Sequence, residues 1–418
     1  FIVNFSEKLM NMINKLKKRN NDSIGVLGSG LMGHGIVCTA AISGFQVLML
    51  DLTKKQAAKG LQNIYQILEK SFKKGFITSQ ELVDIKSRIE ISHDYEMLKN
   101  KKIVIEAIYE DLDIKTKALK TAEKYMNPNG FLASNTSTIP ISILASKLIN
   151  PQKFIGLHFF SPVHKMKLVE VIKGQKTSSE TLNHALNFAL QIGKTPIVVN
   201  DSPGFYTTRV FVKYPFEGMA MLSEGIKATS IENAGKKAGY PVGPLALSDE
   251  VNIALIGRIR KQILKYGKKN LAGPWDKVID VMVTNLNREG RSGNGGFYDY
   301  PKNEKKHIWK NLENHFPVST TEIPEKDIVD RLLFTQIIEA ISCYEKNIIT
   351  SAKDANTGSI LGLGFPSDSG GILQFVNNYG VLKFRDRSLQ LTERYGKRFT
   401  PPNLLNEMAR TKKVFNSL

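Results

Sequence analysis

Short apolar runs recur through the first half of the chain, and their spacing predicts an α/β domain. These runs have the length of buried strands and cover residues 24–27, 46–50, 88–92, 102–108, 130–134 and 154–158. Stretches of helical periodicity, among them a lysine-rich one at 54–90, lie between them. Strands that alternate with helices in this way form βαβ units and parallel sheets. We therefore expect one sheet whose strands end along a common edge.

The pattern changes near residue 202, after which helical periodicity continues to the C-terminus. This all-α region contains a degenerate internal repeat. Residues 209–226 align with residues 331–348 at a spacing of 122, which matches Arg209 with Arg331 and Glu217 with Glu339. Further matches follow at a spacing of 125. Self-similarity at a fixed spacing predicts two copies of one helical unit.

A glycine-rich turn follows the first predicted strand directly. Gly28, Gly30 and Gly33 form a GxGxxG motif that opens a helix, and Asp51 ends the next strand, 21 residues beyond Gly30. The glycines permit a tight turn, close approach to a pyrophosphate and close helix–strand packing, and the carboxylate can accept a ribose 2′-hydroxyl. Asp51 would repel a 2′-phosphate, so the motif favours NAD over NADP. His34 follows the motif, and we expect it to face solvent without a role.

These patterns predict the fold class and the domains. We expect a Rossmann-type α/β domain followed by an all-α region that contains two degenerate copies of a helical unit. The predicted segments are a linker helix at 1–21, the nucleotide-binding domain at 22–201, a first helical domain at 202–300, a linker at 301–322 and a second helical domain at 323–418.

Candidate catalytic residues lie near the ends of later strands. His158 ends one apolar run, and Glu170 follows twelve residues on, in the second strand of a predicted hairpin that turns at Ser161-Pro162. If those strands pair, the carboxylate can orient the imidazole as a general base; a buried structural His with a surface Glu is the alternative. Ser137 lies in the polar loop 134–138, which can bind a ligand, cap the next helix, or do both. Glu110 can reach the same edge, or the Glu110-Asp111 pair can cap the next helix.

Composition narrows the range of partners. The formal net charge is +19, which suits either a solvated basic surface or an anionic partner such as nucleic acid, a membrane surface or a phosphate-bearing small molecule. We favour the solvated surface, with the small molecule second, because the basic residues form no stripe with aromatics. The two cysteines, Cys38 and Cys343, predict neither a disulfide framework nor a metal site.

Taken together, the motifs resemble the L-3-hydroxyacyl-CoA dehydrogenase family. Within that family the chain is most similar to the dehydrogenase half of multifunctional alpha subunits, both mitochondrial and bacterial. The resemblance covers almost all of residues 22–418, and its carriers are GSGLMG (28–33), VIEAIYED (104–111), SNTS (134–137), HFFSPVHKMKLVEVI (158–172), DSPGFYTTR (201–209), GGFYDY (295–300), GLGFPSDSGG (362–371) and FTPPNLL (399–405).

The resemblance implies NAD-dependent oxidation of (S)-3-hydroxyacyl-CoA to 3-oxoacyl-CoA in fatty-acid β-oxidation. It implies that His158 is the base, that Glu170 orients it and that Ser137 binds the substrate oxygen. The implied NAD-binding residues are Gly28, Gly30, Leu31, Met32, Gly33, Asp51, Glu110 and Lys115, and no metal is implied. At two positions, Thr208 and Ser161 replace an Asn that is common in the single-function enzymes.

The resemblance also implies a parent protein, partners and a cellular location. The multifunctional members carry an upstream enoyl-CoA hydratase domain that has no counterpart here, so we expect a fragment or truncated form without hydratase activity. The implied partners are an acyl-CoA substrate, a thiolase beta subunit and the inner membrane as a peripheral contact, in an oligomer of the mitochondrial matrix rather than the peroxisome. No nucleic acid is expected. The alternative is a non-catalytic nucleotide-binding or structural subunit that holds a thiolase partner.

Overall fold

A computed structural model describes residues 23–267 and 272–415. The predicted linker helix at 1–21 lies outside the described residues. The chain divides into two compact units, of which the first ends at Asp201 and the second begins at Ser202. The first unit is α/β and the second is helical, so the predicted fold class is confirmed. That the helical region consists of two copies of one unit stays a prediction.

One eight-stranded sheet forms the centre of the first unit. Its spatial order is β3-β2-β1-β4-β5-β6-β7-β8, and every neighbouring pair is parallel except β6 with β7, which is antiparallel. The strands are β1 (Ser23–Leu27), β2 (Gln46–Leu50), β3 (Ile89–Ser92), β4 (Ile103–Glu106), β5 (Phe131–Ser134), β6 (Phe154–Phe159), β7 (Leu168–Lys173) and β8 (Thr195–Asn200).

Helices cover this sheet. They are α1 (Leu31–Ile42), α2 (Lys54–Lys73), α3 (Ser79–Ser87), α4 (Leu112–Tyr125), α5 (Ile141–Ala145) and α6 (Ser179–Gln191), with 3₁₀ turns at Tyr95–Leu98 and Pro151–Lys153. Helix α1 is buried along nearly its whole length, which small residues such as Gly35 and Ala40 permit. Helix α2 has the opposite character, with one buried apolar face and a solvated lysine-rich face, because only one side meets the core.

The order of the strands determines where the functional side chains meet. Strands β1, β2, β4, β5 and β6 run in the same direction, so their carboxyl ends share one edge of the sheet. Ligands bind at this edge in open α/β sheets. The hairpin of β6 and β7 then turns the chain back, so that a residue near the end of β6 lies beside one inside β7.

The second unit is a helical assembly. Its helices are α7 (Thr207–Phe211), α8 (Lys213–Ser223), α9 (Ala228–Lys237), α10 (Pro244–Val251), α11 (Ile253–Gly267), α12 (Trp275–Asp280), α13 (Leu312–His315), α14 (Glu325–Glu345), α15 (Ala352–Leu363), α16 (Ile372–Tyr379), α17 (Val381–Tyr395) and α18 (Asn403–Thr411). A π-helical turn covers Val281–Asn285, 3₁₀ turns cover Ser367–Ser369 and Lys397–Phe399, and a small hairpin pairs β9 (Tyr298–Asp299) with β10 (His307–Ile308). The segment 301–322 therefore contains β10 and α13.

Two ion pairs, one buried and one partly buried, connect the two predicted copies reciprocally. The guanidinium of Arg209 binds Glu339 with Nε at 2.8 Å, and that of Arg331 binds Glu217 with Nε at 2.7 Å. The repeat alignment matches the two arginines with each other and the two glutamates with each other. Two related units that pack symmetrically would exchange partners in this way. The reciprocal pairs thus support the repeat.

Within residues 23–267 and 272–415, no helix combines the length and the apolar character needed to cross a membrane.

Candidate functional site

Neighbouring backbone lies so close to the glycine loop between β1 and α1 that two of the loop's positions require glycine. Gly28 has φ +98°, and a Cβ there would lie 2.6 Å from the carbonyl oxygen of Ala107. A Cβ on Gly33 would lie 1.9 Å from the carbonyl oxygen of Gly28. In contrast, a Cβ on Gly30 would have nothing within 4 Å. The open space at Gly30, at the N-terminus of a buried helix, fits the close approach of a pyrophosphate.

Asp51 lies beside this loop, directly after β2. Its Oδ2 accepts the Ser29 N–H at 2.8 Å and also contacts the Ser29 hydroxyl, while its Oδ1 accepts the N–H of Leu52 at 2.7 Å. These bonds hold the carboxylate next to the glycine loop, where the sequence predicted it. A carboxylate offers about four acceptor sites, so Asp51 retains capacity for a ribose hydroxyl.

His34 differs from its prediction. We expected a solvent-facing side chain, but His34 is only 9% exposed, because α1 is buried from Gly33 to Ala41. Its Nδ1 is buried and has no hydrogen-bond partner among the described residues. A buried polar atom without a partner, next to the glycine loop, is consistent with a ligand that supplies the partner. Of the motif's two apolar residues, Leu31 is 67% exposed and Met32 is partly buried.

His158 and Glu170 meet as the hairpin predicted. They are paired residues in the antiparallel register of β6 and β7, and Nδ1 of His158 lies 2.9 Å from Oε2 of Glu170. The histidine is 6% exposed and the glutamate is fully buried. An ionised carboxylate can only accept a hydrogen bond, so Nδ1 carries the hydrogen and Nε2 keeps its lone pair. The arrangement provides a base in which Nε2 is the nitrogen that can take up a proton.

Ser137 lies on the other side of the imidazole. Its Oγ is 3.0 Å from Nε2 of His158, so the loop after β5 brings a hydroxyl to the nitrogen that would take a proton. Glu110, which follows β4 in the chain, binds the loop after β5. Its Oε1 accepts the Ser137 N–H at 3.1 Å and the hydroxyls of Thr136 and Thr138 at 2.6 and 3.0 Å.

A buried lysine connects two glutamates below this loop. Lys115 is 1% exposed, and its Nζ lies 2.6 Å from Glu106 and 3.1 Å from Glu110. Burial alone would raise the pKa of Glu110, but the Lys115 ammonium and the threonine hydroxyls outweigh burial and hold that pKa below its usual range. Burial would lower the pKa of Lys115, and the two carboxylates raise it instead. Glu110 is therefore ionised and able to accept three hydrogen bonds at neutral pH.

The helix caps settle two alternatives that the sequence left open. Asp111, not Glu110, caps α4, since its Oδ1 accepts the N–H groups of Asp113 and Ile114 at 3.0 Å. The N–H groups of Ile141 and Ser142, which begin α5, donate to Asp201 at 2.8 and 2.7 Å. Asp201, and not the polar loop 134–138, therefore caps α5.

Sequence reasoning missed Glu106 and Thr136. Glu106 is the last residue of the buried strand β4 and is fully buried, where it also accepts a short hydrogen bond from Ser134 at 2.5 Å. A carboxylate inside an apolar strand needs a cationic partner, so the sequence contained a signal for a buried lysine nearby. Thr136 had no such signal, because one threonine in a polar loop resembles any other.

Comparisons with known proteins agree with this geometry. Residues 23–202 match the model of the 3-hydroxyacyl-CoA dehydrogenase NAD binding domain, and residues 204–300 match the model of the 3-hydroxyacyl-CoA dehydrogenase C-terminal domain. The predicted cofactor, NAD, is confirmed by the first match.

Curated relatives include fatty acid oxidation complex alpha subunits. The one from Vibrio cholerae is 35% identical over 381 residues, 91% of this chain and 53% of that protein, and the one from Shewanella amazonensis is 35% identical over 394 residues, 93% and 55%. The chain therefore spans about half the length of the curated relatives it matches.

Two solved structures are also similar to this chain. The (S)-3-hydroxybutyryl-CoA dehydrogenase from Ralstonia eutropha is 33% identical with a TM-score of 0.64, and the match covers 68% of this chain and 100% of that one. The 3-hydroxybutyryl-CoA dehydrogenase from Escherichia coli K12 has a TM-score of 0.81 at 23% identity, which shows a shared fold over 94% of this chain and 99% of that one. On the family models and the Ralstonia match, the chain belongs to the 3-hydroxyacyl-CoA dehydrogenase family.

Proposed function

We propose that the chain oxidises the 3-hydroxyl group of (S)-3-hydroxyacyl-CoA to a ketone with NAD, as a step of fatty-acid β-oxidation. One observation carries this proposal: the imidazole of His158 lies between Glu170 on Nδ1 and Ser137 on Nε2, at the sheet edge where the glycine loop opens. A non-catalytic subunit would have no use for a base, an orienting carboxylate and a hydroxyl in this arrangement.

In the proposed mechanism, Nε2 of His158 takes the proton of the 3-hydroxyl group. Glu170 keeps the imidazole in the Nδ1–H tautomer and stabilises the imidazolium that forms. Ser137 donates its hydroxyl hydrogen to the substrate oxygen and so holds that oxygen near Nε2. The chemistry that NAD would supply when bound is a hydride acceptor for C3 of the substrate. The glycine loop and Asp51 would bind it.

The same proposal includes the substrate class, the partner chain and the cellular location. The basic surface suits the phosphates of coenzyme A, and the relatives named as complex subunits support a partner chain, for which a thiolase beta subunit in an oligomer is our candidate. Peripheral contact with the inner membrane and a mitochondrial-matrix location rest on the sequence resemblance alone, because the relatives named above are bacterial.

The direct test is the reverse reaction. Purified protein should oxidise NADH when acetoacetyl-CoA is added, which is followed as a loss of absorbance of NADH. Free acetoacetate serves as the control for the coenzyme A part of the substrate and should react far more slowly. If a folded chain binds NADH but does not turn over acetoacetyl-CoA, the proposed reaction is wrong for this chain.

Glu110 is expected to act through Ser137. In Glu110→Gln the charge that faces Lys115 is lost and one oxygen becomes an NH₂ group, so the 134–138 loop loses acceptors and shifts Ser137. We expect kcat for acetoacetyl-CoA to fall about tenfold, because displacement of a positioning group by a fraction of an ångström has effects of that order. NADH titration and a melting curve measure cofactor binding and folding separately.

The matched control for that variant is Glu96→Gln, at an exposed position of the same unit. It should leave kcat unchanged. A Glu110→Gln protein with wild-type kcat would mean that the loop does not need this carboxylate.

A further inference from the structure

Lys194 is a buried lysine that the mechanism does not use. It directly precedes β8 and is 7% exposed. Its ammonium donates hydrogen bonds to the main-chain carbonyl oxygens of Val163 and Met166, the latter at 2.7 Å. Both acceptors lie in the 161–166 loop, the turn that joins β6 to β7.

This loop lies between the base and the nucleotide-binding helix. At one end it follows β6, which carries His158, and at the other it leads into β7, which carries Glu170. In its middle, Val163 is 2% exposed and packs on α1, so closely that a Cβ on Gly35 would lie 2.9 Å from it. A shift of the loop would therefore move the hairpin relative to α1.

The energetics argue against a purely structural role for Lys194. Burial lowers its pKa to about 8, and the bonded acceptors are neutral carbonyl oxygens. The imidazole of His164 in the loop is a further basic group, and its pKa is lowered by burial first and then by Lys165, Lys194 and His34. Burial of an ammonium in such surroundings costs stability, and sites that break the rules of stable packing are commonly functional.

We propose that Lys194 is a positioning residue, which holds the 161–166 loop against α1 and thereby sets the place of His158 relative to the bound cofactor. The catalytic part of this inference rests on the proposed function, whereas the structural part does not.

The first experiment compares Lys194→Met with Lys165→Met. Methionine keeps the length and apolar stem of Lys194 but removes its donors, while Lys165 is an exposed lysine of the same loop and provides the matched control. We expect kcat per NADH-binding site to fall about tenfold in Lys194→Met only. The Kd for NADH should stay within about threefold, because Lys194 does not contact the glycine loop itself. An unchanged kcat per binding site would overturn the proposal.

The pH dependence separates positioning from general destabilisation. Lys194 is protonated below about pH 8 and loses its proton above it, and its hydrogen bonds to the carbonyls then weaken. The ratio of variant to wild-type kcat should therefore rise toward one above pH 8. Taking the ratio cancels the pH dependence of the reaction itself. A ratio that stays constant from pH 6 to about pH 9.5 would contradict the proposal.

Hydrogen exchange tests the loop without turnover. The N–H groups of Lys165 and Met166 bond to the carbonyl of Pro162 at 2.9 and 3.0 Å, and they should exchange faster in Lys194→Met than in wild type or Lys165→Met. If the wild-type chain has no activity but this exchange increases, the proposed function fails while the role of Lys194 in the loop stands. If exchange is unchanged, Lys194 does not hold the loop.

Discussion

Replacement of His158 by glutamine should lower kcat about 10²- to 10⁴-fold, the usual contribution of a positioned general base. Glutamine approximates the size of histidine and can still bond to Glu170, but it has no nitrogen that accepts a proton near neutral pH. The Kd for NADH should change little, because the two side chains that bond to the imidazole, Ser137 and Glu170, lie outside the glycine loop. Stopped-flow or steady-state loss of NADH absorbance with acetoacetyl-CoA measures the effect, and fluorescence titration measures NADH binding.

A second variant makes this result specific. His184 is an exposed histidine on α6 of the same unit, and His184→Gln should keep wild-type kcat. Replacement of Glu170 by glutamine should have an intermediate effect, because the imidazole remains but its tautomer is no longer fixed by a charge. A His158→Gln protein that binds NADH and keeps most of its kcat would show that another group takes the proton.

The pairing of His158 with Glu170 could be predicted because it depends on local features. Two apolar runs separated by a Ser-Pro turn determine a hairpin, and side chains that face each other across an antiparallel pair lie on the same face. The register then follows from the turn, and the observed register does match the two residues. The cofactor site could be predicted for the same reason, because its strand, glycine loop and helix follow one another directly in the sequence.

Other parts of the site depend on contacts between distant segments and could not be predicted. Glu110 and Ser137 are 27 residues apart, and nothing in either segment indicates that the carboxylate accepts the backbone N–H. Lys194 looks like an ordinary lysine before a strand, and only the fold buries its ammonium beneath the turn that follows His158. His34 appeared to be a surface residue because the sequence does not show how much protein covers the start of α1.

Several of these contacts between distant segments place charged side chains in the site. Lys115 contacts Glu106 and Glu110, the pKa of Glu110 is held below its usual range, and Glu170 contacts the imidazole of His158. Proton transfer to His158 creates positive charge within this region. Fixed negative groups that need no reorganisation stabilise the imidazolium as it forms.

The second large effect is expected at Gly33, where alanine should weaken NADH binding by about 100-fold or more and also lower the melting temperature. Its Cβ would lie 1.9 Å from the carbonyl oxygen of Gly28 and 2.7 Å from the carbonyl carbon, so the backbone of the loop must move. That loop cannot move freely, because the N–H of Gly28 bonds to the carbonyl of Leu50 at 2.7 Å. Forced backbone shifts of this kind cost about 1–3 kcal/mol.

A comparison with Gly30 separates loss of space for the cofactor from distortion of the loop. Gly30 has φ −64°, which any residue adopts, and a Cβ there would meet nothing within 4 Å. Gly30→Ala should therefore keep the wild-type melting temperature and still lose NADH affinity, because the methyl group occupies the space that the pyrophosphate needs. If Gly30→Ala bound NADH as tightly as wild type, the cofactor would not approach the backbone here. The weak binding of Gly33→Ala would then be attributable to distortion of the loop alone.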